Sequence, residues 1–426
     1  MSQKSMSGNP ERPMRVLWIA QSCSLQDEEN NPGLTGRTEQ VLTAFGADRV
    51  QLAVAYMADG RHESRLTERG IDFYAVDAEL GVGITDEAWE RTRAELLRVI
   101  GEFRPDLIQC FGAEWPYGLI AEDVEIPVVI HMMGFLNIYY PSIHMARGDV
   151  PGRKPRPTLK SALQRLLRGD RPAENSEARL QRVERRVMAA NRYFFGRTNW
   201  DRNVVRYYAP GARYYHVPEA VKPRIYGAAG QWRFHAGGRL RLFSLSSGDD
   251  RKGNEILLRA AEICKNLLGL DLEWRVAGLR EFFPYFEQRS GIRCEEVGIE
   301  LLGMIDGEKI IEELKRADLF IHPSIMDNSP HAICEAQLIG CPVIASNVGG
   351  VPDLVKDGET GFLYPYNEPH TLAFLIANLV RDGELLTKIS ENEVAVSRER
   401  HDPEKLAERM LRCYEEILEE EKNGGK

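Results

Sequence analysis

No run of this 426-residue sequence approaches the roughly eighteen consecutive apolar residues of a membrane-spanning helix, so nothing in it reads as a membrane span. It has no C-x-x-C pair. Seven cysteines (Cys23, Cys110, Cys264, Cys294, Cys334, Cys341, Cys413) are scattered along the chain, which fits buried thiols in a reducing compartment better than a disulfide frame or a zinc site. Positive charge is not in excess either: the formal charge of -9 argues against a nucleic-acid partner, whose binders are usually basic. Residues 1–13, MSQKSMSGNPERP, lack the apolar h-region of a signal peptide and read as a disordered leader. These absences predict a cytoplasmic protein.

What is present is alternation. The chain is too long for one core, so two domains of roughly 200 residues each are expected. Met14–Ala20 (MRVLWIA), Gln51–Met57, Asp72–Asp77, Asp106–Phe111, Pro127–Met133, Arg192–Thr198 and Tyr214–Val221 are apolar runs of strand length. Helical spacing lies between them, as from Arg37 to Phe45 and after a cap at Thr85 or Asp86. Strands and helices alternating in this way predict an α/β domain with a parallel sheet over 14–221, interrupted by a basic insert at about 139–187. Residues 222–238 read as a linker. Leu240–Ser246, Leu272–Gly278, Ile299–Met304, Asp318–Ser324 and Pro342–Ser346 then repeat the pattern in a second domain over 239–402. Residues 403–426 form a last amphipathic helix, long enough to pack back on the first domain. Two doubly wound halves imply a cleft faced by the carboxyl ends of both sheets.

The densest chemistry lies in His322–Val355, HPSIMDNSPHAICEAQLIGCPVIASNVGGVPDLV. Ser329 reads as an N-cap with Pro330 at the first helical position, and Gly340 as the stop. A helix start emerging from a strand's carboxyl end offers free N–H groups to an anion such as a diphosphate. Asp327 just before the helix and Glu335 inside it would oppose a bare diphosphate. They suit hydroxyl groups at the two ends of a ligand, a sugar and a ribose.

The segment resembles the donor-site signature of family 4 retaining glycosyltransferases, whose GT-B fold sets two Rossmann-like domains across a cleft. It carries Asp327-x7-Glu335, Pro342 to Ser346, Gly349-Gly350, Pro352 and Gly361-Phe362-Leu363. The resemblance implies that Asp327 contacts the transferred sugar and Glu335 the ribose of a nucleoside-diphosphate sugar. Asn328, His331 and Ala332 then take the place of the family's glycine-rich loop. Arg251-Lys252-Gly253 resembles the R-x4-K-G diphosphate clamp, with Lys252 in the lysine position and Ser247 where the arginine belongs. Gly33 and Gly36 resemble the first domain's glycine loop. His131 lies two residues before the position of the family's sugar-contacting histidine, and a packed strand-end histidine fits it slightly better. The base would be held by backbone near Gly303 and Met304.

No D-x-D triplet occurs, so the metal-chelating diphosphate site of the other large glycosyltransferase fold is absent. The expected enzyme is therefore a hexosyltransferase-like, metal-independent transferase without a further cofactor, serving polysaccharide or glycolipid assembly on a glycan or lipid-linked acceptor. Two alternatives stay open: a sugar-nucleotide epimerase or hydrolase on the same fold, and a non-catalytic nucleotide-sugar-binding subunit. Between Arg153 and Arg186 eleven Lys/Arg face four acids, and Leu159–Arg168 forms a basic amphipathic helix. That helix suits either peripheral contact with the anionic inner face of a membrane or packing on its own domain.

Overall fold

The computed structural model describes residues 12–26, 33–58, 65–77, 85–146, 176–235 and 237–424. In the first domain the order is β1 (Met14–Ala20), α1 (Leu34–Gly46), β2 (Val50–Ala58), β3 (Arg65–Glu68), β4 (Ile71–Asp77), α2 (Asp86–Phe103), β5 (Leu107–Phe111) and β6 (Val128–His131). It continues through α3 (Leu136–Ala146), α4 (Ser176–Ala190), β7 (Tyr193–Gly196), α5 (Asn199–Tyr208) and β8 (Arg213–His216). The sheet runs β3-β4-β2-β1-β5-β6-β7-β8, parallel except for β3, which pairs antiparallel with β4. Continuous apolar runs serve here because both faces are covered: Val16 to Ala20 of β1 are fully buried between β2 and β5. Thr85 accepts from Ala88 N (3.1 Å) to start α2, and Ala88, Trp89, Thr92, Leu96, Val99, Ile100 and Phe103 bury one face.

The second domain contains α6 (Pro223–Gly227), β9 (Leu240–Ser246), α7 (Asn254–Glu262), β10 (Leu272–Gly278), α8 (Phe283–Ser290), β11 (Ile299–Gly303), α9 (Gly307–Arg316) and β12 (Leu319–His322). After these come α10 (His331–Ile339), β13 (Val343–Ser346), α11 (Val351–Leu354), β14 (Phe362–Tyr364), α12 (Pro369–Leu379) and α13 (Gly383–Arg400). Its sheet is wholly parallel in the order β11-β10-β9-β12-β13-β14. The winding reverses between β9 and β12, so their carboxyl ends flank a topological switch point, the usual place for a ligand in such sheets. In the first sheet the reversal falls between β1 and β5.

α14 (Pro403–Gly424) returns to the first domain. Its buried Leu406, Ala407, Met410, Leu411, Tyr414 and Ile417 join the core that holds Val16, Trp18, Val41 and Leu42. Trp18 Nε1 donates to Tyr414 Oη (3.1 Å), which donates to Gln109 Oε1 (2.6 Å).

Several expectations change. Residues 222–238 are not a free linker: Ile225, Ala228, Ala229 and Trp232 lie in the second core, and Trp232 Nε1 donates to Ala317 O (2.7 Å). Apolar side chains with that much area bury themselves against the nearest core. β3 went unread because all four of its residues are exposed and polar or edge-facing. Helical structure after β9 runs through Leu267, the α-helix Asn254–Glu262 passing into a π-helical turn over Ile263–Leu267. The amphipathic segment Leu159–Arg168 lies outside the described residues. All seven cysteines are buried and unbridged. Among the described residues no helix is long and apolar enough to cross a membrane.

Candidate functional site

The loops after β9 and β12 are laced together at the switch point. After β9, Asp249 accepts from Arg251 N (2.8 Å) and sets a single 3-10 turn over Asp250–Lys252. Gly253 follows at φ +70, where a Cβ would lie 1.8 Å from Pro323 O, so only glycine lets the two loops close. Ile325 N donates to Arg251 O (2.7 Å) across the same seam. The result brings Lys252 Nζ to 2.6 Å from Asp327 Oδ2. His322 Nε2 and Ser324 Oγ each stand 3.3 Å from the same oxygen, and Asn328 N donates to Oδ1 (3.1 Å). Asp327 is only 6% exposed. Burial works against its charge, yet Lys252, His322 and Arg251 hold its carboxyl well below the usual carboxylate range. The Gly349-Gly350 pair makes this possible: a Cβ on Gly349 would strike Asp327 O at 1.9 Å, and one on Gly350 would strike Asn328 O at 2.3 Å.

α10 begins one residue later than the sequence suggests. Pro330 is the extended N-cap (φ -69, ψ 119) with no side-chain cap, and His331 is the first helical residue. Ser329 does not cap because its hydroxyl donates to Glu219 Oε1 (2.5 Å), which also takes a contact from Cys334 Sγ (3.0 Å). Glu219 is 1% exposed; burial opposes its ionisation, but Arg197 with His331 and His401 keeps its carboxyl well below the usual range. Glu335 is buried and paired with Lys222 Nζ at 3.4 Å, so it does not project freely into the cleft. Ala332 is partly exposed beside His331 at the helix start.

The first domain closes on this assembly. Asn328 is spent on the seam: its Nδ2 donates to Asp201 Oδ1 and its Oδ1 accepts from Thr198 Oγ1, both at 2.7 Å. Arg251 donates to Asp249 Oδ2 (3.1 Å), and its guanidinium stacks 4.5 Å from the ring of Tyr139 in α3. Gly33 is the N-cap of α1, and Gly36 and Arg37 stand in its first turn. Arg37 Nη2 reaches His331 Nε2 at 3.2 Å. Gly303 (φ +73) ends β11, with the exposed Met304 just after it.

His131 is placed differently. It is 1% exposed, stacked 5.1 Å from Phe111 and edge-on to Phe195, with Gln109 Nε2 3.3 Å from its Nδ1. Burial and Arg197 pull its pKa down to about 3, so the ring is neutral. The structure packs it between Phe111 and Phe195 rather than in the Lys252–Asp327 cluster. Three charged groups that no motif marks follow strands of the same sheet. Glu114 follows β5 with a solvent-shielded Oε2 that has no partner, Arg197 follows β7 with an unpartnered Nε, and Glu219 follows β8. A charged residue within a few positions of each apolar strand's carboxyl end was the signal that could have found them.

Residues 233–395 match the family model described as glycosyl transferases group 1. A stretch of 154 residues is 31% identical to a putative colanic acid biosynthesis glycosyltransferase of Salmonella typhimurium, covering 33% of this chain and 36% of that protein. The alignment thus spans about a third of that relative's length. Sucrose-phosphate synthase from Thermosynechococcus elongatus superposes with a TM-score of 0.69 at 15% identity, over 95% of this chain and 99% of that one. HepE of Anabaena in complex with UDP and glucose gives a TM-score of 0.62 at 18% identity, over 95% and 100%. The architecture is GT-B.

Proposed function

We propose, from the match of residues 233–395 to the group 1 glycosyltransferase model and from the GT-B fold, that the protein moves a sugar from a nucleoside-diphosphate sugar to an acceptor hydroxyl. The transfer retains anomeric configuration, needs no metal, and serves polysaccharide or glycolipid assembly. The observation that carries this reading is the buried Lys252–Asp327 pair, 2.6 Å apart at the switch point of the second sheet. A carboxylate kept charged by a cation can exchange that cation for sugar hydroxyls, which frees the ammonium to meet the diphosphate. The start of α10 adds N–H groups without a competing side-chain cap or an acidic residue in its first turn.

Each residue then has a task. Asp327 orients the sugar, and Lys252 with Arg251 meets charge that grows on the leaving diphosphate. Glu335 reaches a ribose only if it shares its contact with Lys222. The acceptor hydroxyl attacks on the face that the leaving group vacates. The neighbouring structure described with UDP and glucose supports a uridine nucleotide as the first donor to try. Peripheral contact with an anionic membrane through about 153–186 belongs to the same proposal. Flotation with anionic liposomes reads it, and Leu163→Glu with Leu166→Glu should abolish it; no flotation of the parent protein ends the idea.

The main test incubates the protein with UDP- and GDP-sugars, with EDTA, with and without a glycan acceptor panel. Transfer that needs the acceptor supports the reading. Free sugar released without acceptor favours a hydrolase or epimerase, and binding without any turnover favours a non-catalytic subunit.

A further inference from the structure

Where α7, α8 and the start of α12 meet, the second domain carries a cavity that the donor cluster leaves unused. Gly253 and Ile325 line it, one next to Lys252 and the other two residues before Asp327. The cavity and the Lys252–Asp327 pair therefore share the laced loops after β9 and β12. The apolar part of the cavity is aromatic. Phe286 is buried in its lining, and Tyr366 lines it while 42% exposed. Tyr285 meets Phe286 edge-on at 5.1 Å and is 44% exposed, and Phe282, three residues before it, is 45% exposed. Large rings left in water beside one cavity gain from a ligand that covers them.

The polar part is charged and balanced. Arg259 Nη2 pairs with Glu255 Oε1 (3.0 Å), and Arg289 spans Glu255 Oε2 and Asp250 Oδ1, both at 3.3 Å. Two guanidinium groups thus meet two carboxylates, and all four side chains line the cavity. Asn367, at φ +61 beside Tyr366, adds an amide that both donates and accepts. This mixture excludes other ligand classes. A phosphate would find only guanidinium groups that already face carboxylates. An apolar peptide would bury four charged groups and strip their water. A sugar ring instead offers an apolar C–H face to aromatic rings. Its hydroxyls donate to carboxylates and accept from guanidinium and amide groups.

We infer that this cavity is a second carbohydrate site, which takes one neutral sugar unit of a glycan chain beside the transfer cluster. For its purpose the site rests on the transferase reading above. A chain anchored there stays near the loops that carry Lys252 and Asp327, which raises its effective concentration at the cleft from one transfer to the next.

The test titrates full-length protein with neutral hexasaccharides of glucose, mannose and galactose, with excess UDP present, and reads binding by saturation-transfer NMR. Inorganic pyrophosphate is the anionic competitor. At least one hexasaccharide should bind, and neither UDP nor pyrophosphate should displace it. Tyr366→Ala should weaken that binding by about fivefold, while Tyr366→Phe keeps the ring and the affinity. Asn367→Gly suits the positive φ, so it removes the amide without straining the backbone and should weaken binding by about threefold. UDP affinity should be the same in parent and variants. A parent that binds none of the three hexasaccharides overturns the assignment, as does equal binding in Tyr366→Ala. Displacement by UDP or pyrophosphate overturns it too, because the sugar would then lie in the donor cleft. A parent that binds neither UDP nor GDP overturns the donor reading, and the hexasaccharide titration, which needs no turnover, still decides this site.

Discussion

The carboxyl edges of the two sheets are built on the same plan and finished differently. At the edge of the second sheet, Lys252, Asp327, His322 and Ser324 satisfy one another within 3.3 Å, and the unpartnered atoms there, Asn254 Nδ2 and His331 Nδ1, lie on the flanking helices. At the edge of the first, Glu114 Oε2, His131 Nε2 and Arg197 Nε are shielded from solvent and have no partner. A closed polar cluster is pre-organised for one recurring ligand part. On the proposed reading, the edge with unmet donors and acceptors serves the acceptor, the part of the reaction that differs from one transferase to the next. The family model accordingly matches residues 233–395, which hold the second edge.

Breaking the closed cluster should have the largest effect. Lys252→Ala should lower kcat by roughly 10²- to 10³-fold with a smaller change in donor KM, because the charge it meets grows in the transition state. It should also destabilise the fold by about 3 kcal/mol, since Asp327 is left buried without its cation. Chemical denaturation and steady-state kinetics on one preparation check both, and a loss confined to KM contradicts the role of Lys252.

The seam comes next. Asn328→Ala removes two buried hydrogen bonds between the domains, leaving Asp201 Oδ1 without its donor and the Thr198 hydroxyl without its acceptor. A loss of about 2 kcal/mol is expected in urea unfolding. A change below a few tenths would mean that the seam opens freely in solution.

The subtlest test contrasts two carboxylates by the sign of their pH dependence. Asp327 has a depressed folded pKa, so its contribution is present above the unfolded value near about 3.9 and is lost as pH falls through the folded value. Burial raises Glu114 instead, so the folded state holds its proton longer. Stability attributable to Glu114 falls as pH rises from its unfolded value near about 4.3 through the folded one. Glu114→Gln should therefore remove a downward slope of stability with pH, and Asp327→Asn an upward one at lower pH. Slopes of the same sign in the two variants would erase the contrast between the edges.

The same contrast explains what the sequence disclosed. Parallel strands buried on both faces read as unbroken apolar runs, so β1, β2 and β9 were legible almost to the residue. β3 is an exposed edge strand with no such run. Gly253, Gly349 and Gly350 were legible as motif letters, and the structure supplies the reason in backbone atoms under 2.5 Å from each missing Cβ. Partners distant in the chain were not legible. Ser329 looked like a cap because Glu219, 110 residues away, could not be seen taking its hydroxyl. Asn328 looked like a ligand contact because Thr198 and Asp201 lie 130 and 127 residues off. His131 sits on the right strand, but its ring packs against Phe111 and Phe195, which periodicity alone does not place.

The return of α14 has a consequence for how the chain is made. Trp18 and Tyr414 are 396 positions apart, yet they share a core and a hydrogen bond. The second domain lies wholly between them, so its core can close while the ribosome is still adding residues. The first domain, though synthesised earlier, keeps an apolar face uncovered until α14 emerges. Domains usually settle in the order they are made. Here the order of completion is reversed, and the domain begun first is finished last.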